Sequence, residues 1–212
     1  MRSIIEELAV EEWEDPDNYF PSYNIAPTQT SPVLLYRAKR LIRPMRWGLI
    51  PYWAGDISIG SGLINARAET LPEKPSFRNL VPKNRCVVVA DGYYEWKKEG
   101  RKKTPYYIHH PAGELLPMAG LWDCWRSPDG DPVFSYTVIT TPSRADLAHI
   151  HNRMPAILLK SDLDTWIRTE TYSPRAALSL LAPYPGKVEA YPVAPVVNSP
   201  RNNSPECIRR VH

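Results

Sequence analysis

Three short segments of this 212-residue sequence each place one polar, chemically capable side chain within an apolar or aromatic run. The segments are Leu63–Thr70, Ala90–Trp96 and Ile150–Pro155, and their polar side chains are Asn65, Glu95 and His151. An amide, a carboxylate and an imidazole suffice to orient a carbonyl, move protons and stabilise developing charge. Covalent catalysis also requires a nucleophile, which these three residues do not supply.

Glu95 allows two interpretations. Strand alternation puts Tyr93 and Glu95 on one face and Tyr94 and Trp96 on the other. A carboxylate framed by aromatic rings is either an ordinary solvent-facing group or lies in a poorly solvated pocket. The second environment raises its pKa and suits it to acid–base chemistry. Taken alone, the pattern favours the ordinary interpretation.

His151 is predicted to lie where a strand gives way to a turn, a position where catalytic side chains are often displayed. A hydrogen-bonded core imidazole is the alternative. His149 and His151 are predicted to share one strand face and could mimic a metal pair. No Asp, Glu or Cys accompanies them at ligand spacing, so no metal site is predicted.

Asn65 and Arg67 are predicted to alternate onto the same face of a short strand. An asparagine amide can orient a carbonyl or an open-chain sugar, and an arginine guanidinium can bind a phosphate. Each residue alone is a weak signal.

The elements that must position these residues are predicted to be mainly strands. The sequence has 23 Pro, 7 Trp and 12 Tyr, which favours many short strands joined by ordered loops. We expect residues 1–212 to form a single mainly-β (α+β) domain, a barrel-like mixed sheet with a few peripheral helices. Ile4–Val10 is predicted to be a short acidic helix or a frayed end.

The order of apolar runs and turn signals predicts a β-meander in the middle of the chain. Arg85–Ala90 is predicted to be a buried strand, with Tyr93–Lys97 as its partner across Asp91–Gly92. Thr104–His109 and Met118–Trp125 are expected to continue the meander. Further elements are predicted as helices at Ser143–His149, Ser161–Arg168 (capped by Ser161) and Ser173–Leu181, and a late strand within Val188–Val197.

Composition argues against several classes of protein. No apolar run is long enough for a membrane span and no apolar signal segment opens the chain, so a soluble, intracellular protein is expected. The odd number of cysteines, at wide spacings, argues against a disulfide framework and a zinc site. Cys86 and Cys124 are predicted to be buried packing residues.

The formal charge of +3 is unevenly distributed, because residues 1–17 carry −6 and the remainder carries +9. Basic side chains concentrate in Arg37–Arg46 and Lys97–Lys103. Basic stretches interleaved with aromatic residues suggest a polyanion partner, with single-stranded nucleic acid as the natural candidate. Solvated charges beside hairpin turns are the alternative.

Taken together, these segments carry a family resemblance. With Tyr23–Pro27, Met45–Pro51 and Val197–Cys207, they strongly resemble the SOS response-associated peptidase (SRAP) family of abasic-site processing proteins, from about Trp13 to Ile208. The resemblance implies a β-rich domain with a positively charged channel for single-stranded DNA that carries abasic sites. It implies no cofactor, no metal and a monomer.

The resemblance also implies a reaction in which an N-terminal cysteine forms a thiazolidine crosslink with the opened abasic sugar, and an associated autopeptidase activity. Glu95 is then the proton shuttle, His151 acts on a sugar oxygen and Asn65 positions the reacting end. DNA contacts are implied for an aromatic loop that wedges against bases and for residues that border the strand: Trp47, Tyr52 and Trp53, and Asn24, Pro27, Arg67 and Thr140.

The sequence departs from the family pattern at its start, where Met1-Arg2-Ser3 stands in place of Met-Cys-Gly-Arg. We expect a truncated start, with residues 1–12 outside the family pattern, and no crosslinking by the chain as it stands. A noncovalent single-stranded DNA-binding module is an alternative, and a Cys–His hydrolase using Cys86 or Cys124 is another. The expected location is the cytoplasm or nucleoid of a bacterium, or the nucleus of a eukaryote.

Overall fold

A computed structural model describes residues 2–211, with only the backbone of Arg2, and strands dominate this part of the chain. The strands are β1 Glu12–Trp13, β2 Thr30–Tyr36, β3 Arg40–Trp47, β4 Asn65–Arg67, β5 Arg85–Val88, β6 Gly92–Glu99, β7 Lys102–His109, β8 Met118–Arg126, β9 Pro132–Pro142, β10 Arg153–Pro155 and β11 Glu189–Pro192. The α-helices are α1 Arg2–Leu8, α2 Leu163–Ile167 and α3 Pro174–Leu178.

Five strands close into a mixed barrel in the order β3–β2–β5–β8–β9, and β9 returns to β3. The closing pair is parallel, with Trp47 opposite Tyr136, whereas the other four pairs are antiparallel. Three short strands extend the barrel, since β1 lies along β3, and β4 and β10 lie along the far half of β9. The predicted barrel-like mixed β fold is confirmed.

The barrel strands are buried on both faces. Side chains from all five of them, such as Val33, Met45 and Val138, form an apolar cluster inside the barrel. Alternate residues on the same strands, such as Leu34, pack outward against Leu8 of α1 and Trp166 of α2. This two-sided burial explains why β5 is a continuous apolar run rather than an alternating pattern.

A second sheet of three strands, β11–β7–β6, lies beside the barrel, with β6 at its free edge. The prediction that Tyr93–Lys97 pairs with Arg85–Ala90 is therefore wrong. Within the closed barrel both edges of β5 are hydrogen-bonded to β2 and β8, so neither edge is left for β6. Strand β6 instead pairs with β7 through a tight turn at Gly100, whose φ is +60°.

The predicted continuation of the meander is confirmed for Thr104–His109, which pairs with β6 as part of β7, and is wrong for Met118–Trp125. Residues 118–125 do form a strand, but β8 returns to the barrel beside β5 rather than following β7. The predicted late strand is shorter than Val188–Val197, since β11 ends at Pro192.

Two helical predictions are corrected. Residues 143–149 form turns, because only isolated bonds such as Ala148 N–H to the Arg144 carbonyl are made. His149 and His151 consequently lie in a turn that precedes β10, and the prediction that they share a strand face is wrong. Ser161 does not cap α2, because a 3-10 turn over Lys160–Asp162 leads into that helix without a side-chain cap.

Other helical predictions are confirmed in part. The predicted N-terminal helix is present as α1. Ser173 caps α3 by accepting a hydrogen bond from the Ala176 amide at 3.2 Å, with Pro174 in the first turn, although this helix ends at Leu178. Among residues 2–211, no helix combines the length and apolar character needed to cross a membrane.

Candidate active site

A cleft of about 1130 Å³ opens where the rim of the barrel meets the edge of the small sheet. Its wall includes residues of β4, β6 and the turn before β10, so the topology brings Asn65, Glu95 and His151 to one cavity. Ser3 and Ile4 of α1 also line it. Side chains that lie 30 to 86 positions apart in the sequence thus share one wall.

Glu95 and His151 face each other in this cleft, with 3.7 Å between Glu95 Oε2 and His151 Nδ1. The Glu95 side chain is 26% exposed. Burial raises the pKa of this carboxyl, and the opposing effects of His151 and of the Trp96 amide do not cancel the increase. The poorly solvated environment, which the sequence alone did not favour, is the one observed.

The His151 ring is positioned by a hydrogen bond from a backbone amide two residues further along the chain. The Arg153 amide lies 3.1 Å from His151 Nδ1 and donates to it. When Nδ1 accepts this bond, the neutral ring carries its proton on Nε2, which is then the nitrogen available to a ligand. A protonated Nδ1 would have two acceptors nearby, the Arg153 carbonyl at 3.2 Å and the Glu95 carboxylate at 3.7 Å. The pair is thus suited to passing a proton.

Arg153 was not identified from the sequence, although it lies within the Ile150–Pro155 segment. Its guanidinium forms a two-point salt bridge with Glu69, at 2.8 and 3.0 Å, and donates to the Thr140 carbonyl at 2.7 Å. It therefore ties the segment that carries His151 to β9. Its partners Glu69 and Thr140 lie 84 and 13 positions away in the sequence, so no local signal indicates this role.

Asn65 and Arg67 lie on β4 as predicted, both exposed, with buried Ala66 between them. Both line the cleft, and Arg67 stands opposite Thr140 of β9, which lines it too. Among the described residues the Arg67 guanidinium has no hydrogen bond or salt bridge, whereas Arg153 is neutralised by Glu69. Arg67 is therefore the cation of this wall that is available to an anion.

The other residues expected to contact DNA differ in where they lie. Pro27 and Trp47 line the cleft, and the Trp47 indole donates to the Ile64 carbonyl at 2.9 Å. Tyr52 and Trp53 are 64% and 50% exposed but lie outside the cleft wall. Wedging by these two rings stays a prediction for a more distant part of the surface.

Asn24 lines the cleft but is buried, and its amide is engaged with the C-terminal tail. Asn24 Nδ2 lies within 3.1 Å of the carbonyls of Val197, Ser199 and Asn202. Asn24 therefore ties its loop to the C-terminal tail. Its contact with DNA stays a prediction.

Phe20 and Tyr23 are aromatic residues of the cleft that were not identified as site residues. Both line it, and they are 77% and 41% exposed. The Tyr94 hydroxyl donates to the Tyr23 carbonyl at 2.6 Å, which ties this loop to β6. Sequence alone does not separate such rings from core residues, because exposure is what distinguishes them.

The cysteines do not supply a nucleophile to this cleft. Cys86 and Cys207 are buried and Cys124 is half-buried, and none of the three lines the cleft wall formed by the described residues. Burial raises the pKa of the Cys86 thiol far above neutrality, so this thiol stays protonated. Within residues 2–211, no group of three His, Cys, Asp or Glu side chains could hold a metal ion.

Fold and cleft together define a class of protein: a small mixed β-barrel with a carboxylate–imidazole pair and an unpaired arginine at its rim. The sequence profile described as "SOS response associated peptidase (SRAP)" matches residues 1–200. The chain belongs to this family.

Individual relatives agree with this assignment. The chain is 42% identical over 208 residues to the abasic site processing protein YoqW of Bacillus subtilis, covering 97% of this chain and 93% of that protein. It is 39% identical to the abasic site processing protein HMCES of Rattus norvegicus, covering 93% of this chain and 67% of that protein. A crystal structure of a protein from Bacteroides thetaiotaomicron superposes with a TM-score of 0.79 at 32% identity, covering 87% of this chain and 82% of that one.

Proposed function

We propose that this protein processes abasic sites in single-stranded DNA, and that the cleft holds the opened sugar beside Glu95 and His151. The observation that carries the proposal is the poorly solvated Glu95 carboxyl 3.7 Å from the His151 ring, in a cleft that also displays Asn65 and Arg67. The names of relatives such as YoqW and HMCES support the choice of substrate.

Each side chain has a role that follows from its chemistry. The Arg67 guanidinium binds a phosphate next to the abasic site. The Asn65 amide orients the aldehyde of the opened sugar. Glu95 and His151 exchange protons with the sugar oxygens and with an attacking amine, because each is near its partner and can take either protonation state.

The covalent form of the reaction needs an N-terminal cysteine. Its α-amine condenses with the sugar aldehyde to give an imine and one water, and its thiol then adds to the imine carbon to close a thiazolidine. Because Ser3 and Ile4 line the cleft, an extension ahead of α1 begins at the wall of the cavity that also holds Glu95 and His151. The peptidase activity in the family name, a monomeric state and action in the cell's DNA compartment belong to the same proposal.

The test compares the 212-residue chain with a chain extended at its start by Met-Cys-Gly-Arg. Each is incubated with a single-stranded oligonucleotide that carries one abasic site, or with undamaged DNA. We expect both chains to bind the damaged strand and only the extended chain to give a damage-dependent adduct on a denaturing gel. An adduct from the 212-residue chain would show that another nucleophile substitutes. Absence of binding by both chains would overturn the proposed function.

A noncovalent single-stranded DNA-binding module remains the second candidate. It is favoured by the unpaired Arg67 and by the exposed rings of Phe20 and Tyr23, which suit stacked bases. In that case binding falls with salt and is the same for damaged and undamaged strands. A preference for the abasic strand separates the two functions.

A further inference from the structure

A second, smaller cavity of about 540 Å³ continues from the cleft around the free edge of β6. It is lined by Glu95 and His151 at one end and by Lys98 and Lys103 at the other. The cavity therefore leads from the proposed acid–base pair to two cations on the β6–β7 hairpin.

Lys98 and Lys103 stand directly opposite each other in the register of that hairpin, and both are exposed. Like charges in directly opposite positions of an antiparallel pair are destabilising. Among the described residues neither lysine has a salt bridge or hydrogen-bond partner. This face of the hairpin thus carries two unbalanced positive charges.

The other face of the same hairpin carries an acid between its two lysines. Lys97 forms a salt bridge with Glu99 at 2.7 Å, and Lys102 stands opposite Glu99 in the register. Since adjacent residues of a strand point to opposite faces, the hairpin separates a lysine pair that shares the Glu99 carboxylate from the Lys98–Lys103 pair, which has no acid beside it among the described residues. The Lys98–Lys103 pair lines the cavity, which therefore passes round the edge of β6 from the face that carries Glu95.

We propose that Lys98 and Lys103 together bind one backbone phosphate of the DNA strand where it leaves the Glu95–His151 site along the edge of β6. This inference rests on the proposed function and extends it. Lys98 lies three residues beyond Glu95, about 10 Å along the strand, so the phosphate belongs to a neighbouring nucleotide rather than to the reacting one. Trp96, whose indole donates to Asn198 at 2.8 Å, lines the path between them.

The test uses two double variants of the full chain that have the same net charge. Lys98→Ala/Lys103→Ala removes the proposed contact, and Lys97→Ala/Lys102→Ala removes the two lysines of the other face. Binding to an abasic single strand is measured by fluorescence anisotropy over a range of salt concentrations. We expect the first variant to bind about tenfold more weakly at low salt, with a log–log salt slope reduced by about 0.7, and the second to resemble wild type.

Oligonucleotides that extend from the abasic site on only the 5′ side or only the 3′ side sharpen this test. The loss of affinity in the Lys98→Ala/Lys103→Ala variant should be confined to one of the two oligonucleotides, because β6 has one free edge. Equal losses in the two double variants, or an effect on both oligonucleotides, would overturn the phosphate site while leaving the proposed function intact. A wild-type chain without affinity for either strand would overturn both.

Discussion

At the scale of single residues, the site depends on a carboxyl group that water does not solvate well. Burial of Glu95 is unfavourable for its charged form, and the His151 ring 3.7 Å away compensates only in part. A group in this state changes its protonation readily, which is what proton transfer to a sugar requires. The same property makes Glu95 testable in two independent ways.

The first test concerns the rate. In the chain extended by Met-Cys-Gly-Arg, Glu95→Gln should slow adduct formation about 100-fold or more, since the amide cannot exchange a proton. DNA affinity should stay nearly unchanged, because the substitution preserves shape. Single-turnover gels and anisotropy measure the two quantities. A parallel loss of affinity would show that Glu95 serves binding or structure instead.

The second test concerns stability and its pH dependence. A raised pKa means that the folded protein holds the Glu95 proton more tightly than the unfolded chain does, so this contribution to stability is present in acid and lost as pH rises through the folded pKa. Glu95→Gln should therefore melt at a higher temperature than wild type near pH 7, and the difference should vanish in acid. Glu99→Gln is the control. Because Lys97 lowers the pKa of Glu99, removing the Glu99 carboxylate should not raise the melting temperature near pH 7. An unchanged melting temperature at pH 7 would contradict the buried state of Glu95.

Arg67 offers a test of binding without chemistry. Its guanidinium lines the cleft and makes no hydrogen bond or salt bridge to another described residue, so Arg67→Ala should weaken DNA binding by about 1–3 kcal/mol, the value of one charge-assisted contact. Arg78→Ala removes an exposed arginine outside the cleft wall and should leave affinity unchanged. Titration of both variants with the same oligonucleotide distinguishes a local contact from a general effect of charge.

At the scale of elements, local patterns predicted most strands but not how they pair. β5 and β6 are adjacent in sequence and separated by a turn signal, which is a pattern typical of a hairpin. What decides the outcome is burial: β5 is covered on both faces inside the barrel, whereas β6 forms the edge of another sheet. Long-range partners make that distinction, and a local pattern does not contain them.

The same limit applies to the site. Asn65, Glu95 and His151 could be selected because polar residues in apolar runs are unusual, and the topology brings all three to one cleft. Arg153 and Phe20 could not, because a salt bridge to Glu69 and an exposed ring are consequences of the folded structure. The burial of Glu95 could not be predicted from its neighbours either.

Asn24 connects its own loop to the C-terminal tail, and removing its side chain should lower the stability of the fold. Asn24→Ala removes the side-chain hydrogen bonds to the carbonyls of Val197, Ser199 and Asn202, so we expect a loss of about 1–3 kcal/mol in unfolding free energy and faster amide exchange in the tail. Asn18→Ala removes an exposed amide bonded only to nearby Asp15 and is the control. Full stability with weakened DNA binding would instead assign Asn24 to the DNA interface.

At the scale of the whole molecule, the uneven charge of the sequence is largely paired within the fold. Acidic residues near the start lie against the basic hairpin Arg37–Arg46, where Glu12 pairs with Lys39 and Glu14 pairs with Arg43. Much of that positive charge is consequently not available to a polyanion. Around the cleft, in contrast, Arg67 and the lysines Lys98 and Lys103 of the β6–β7 hairpin have no salt bridge to another described residue.

Arg43 tests this division of charge. Its guanidinium makes two hydrogen bonds to Glu14, at 2.6 and 2.7 Å, and lies 4.3 Å from the centre of the Phe134 ring. Arg43→Gln should therefore lower the unfolding free energy by about 1 kcal/mol while changing DNA affinity less than about twofold. Because Arg43 lowers the pKa of Glu14, the stability difference should shrink as acid protonates that carboxyl. Chemical denaturation at two pH values and a salt titration of DNA binding measure these effects. A reduced salt slope with unchanged stability would instead place the basic hairpin in the DNA interface.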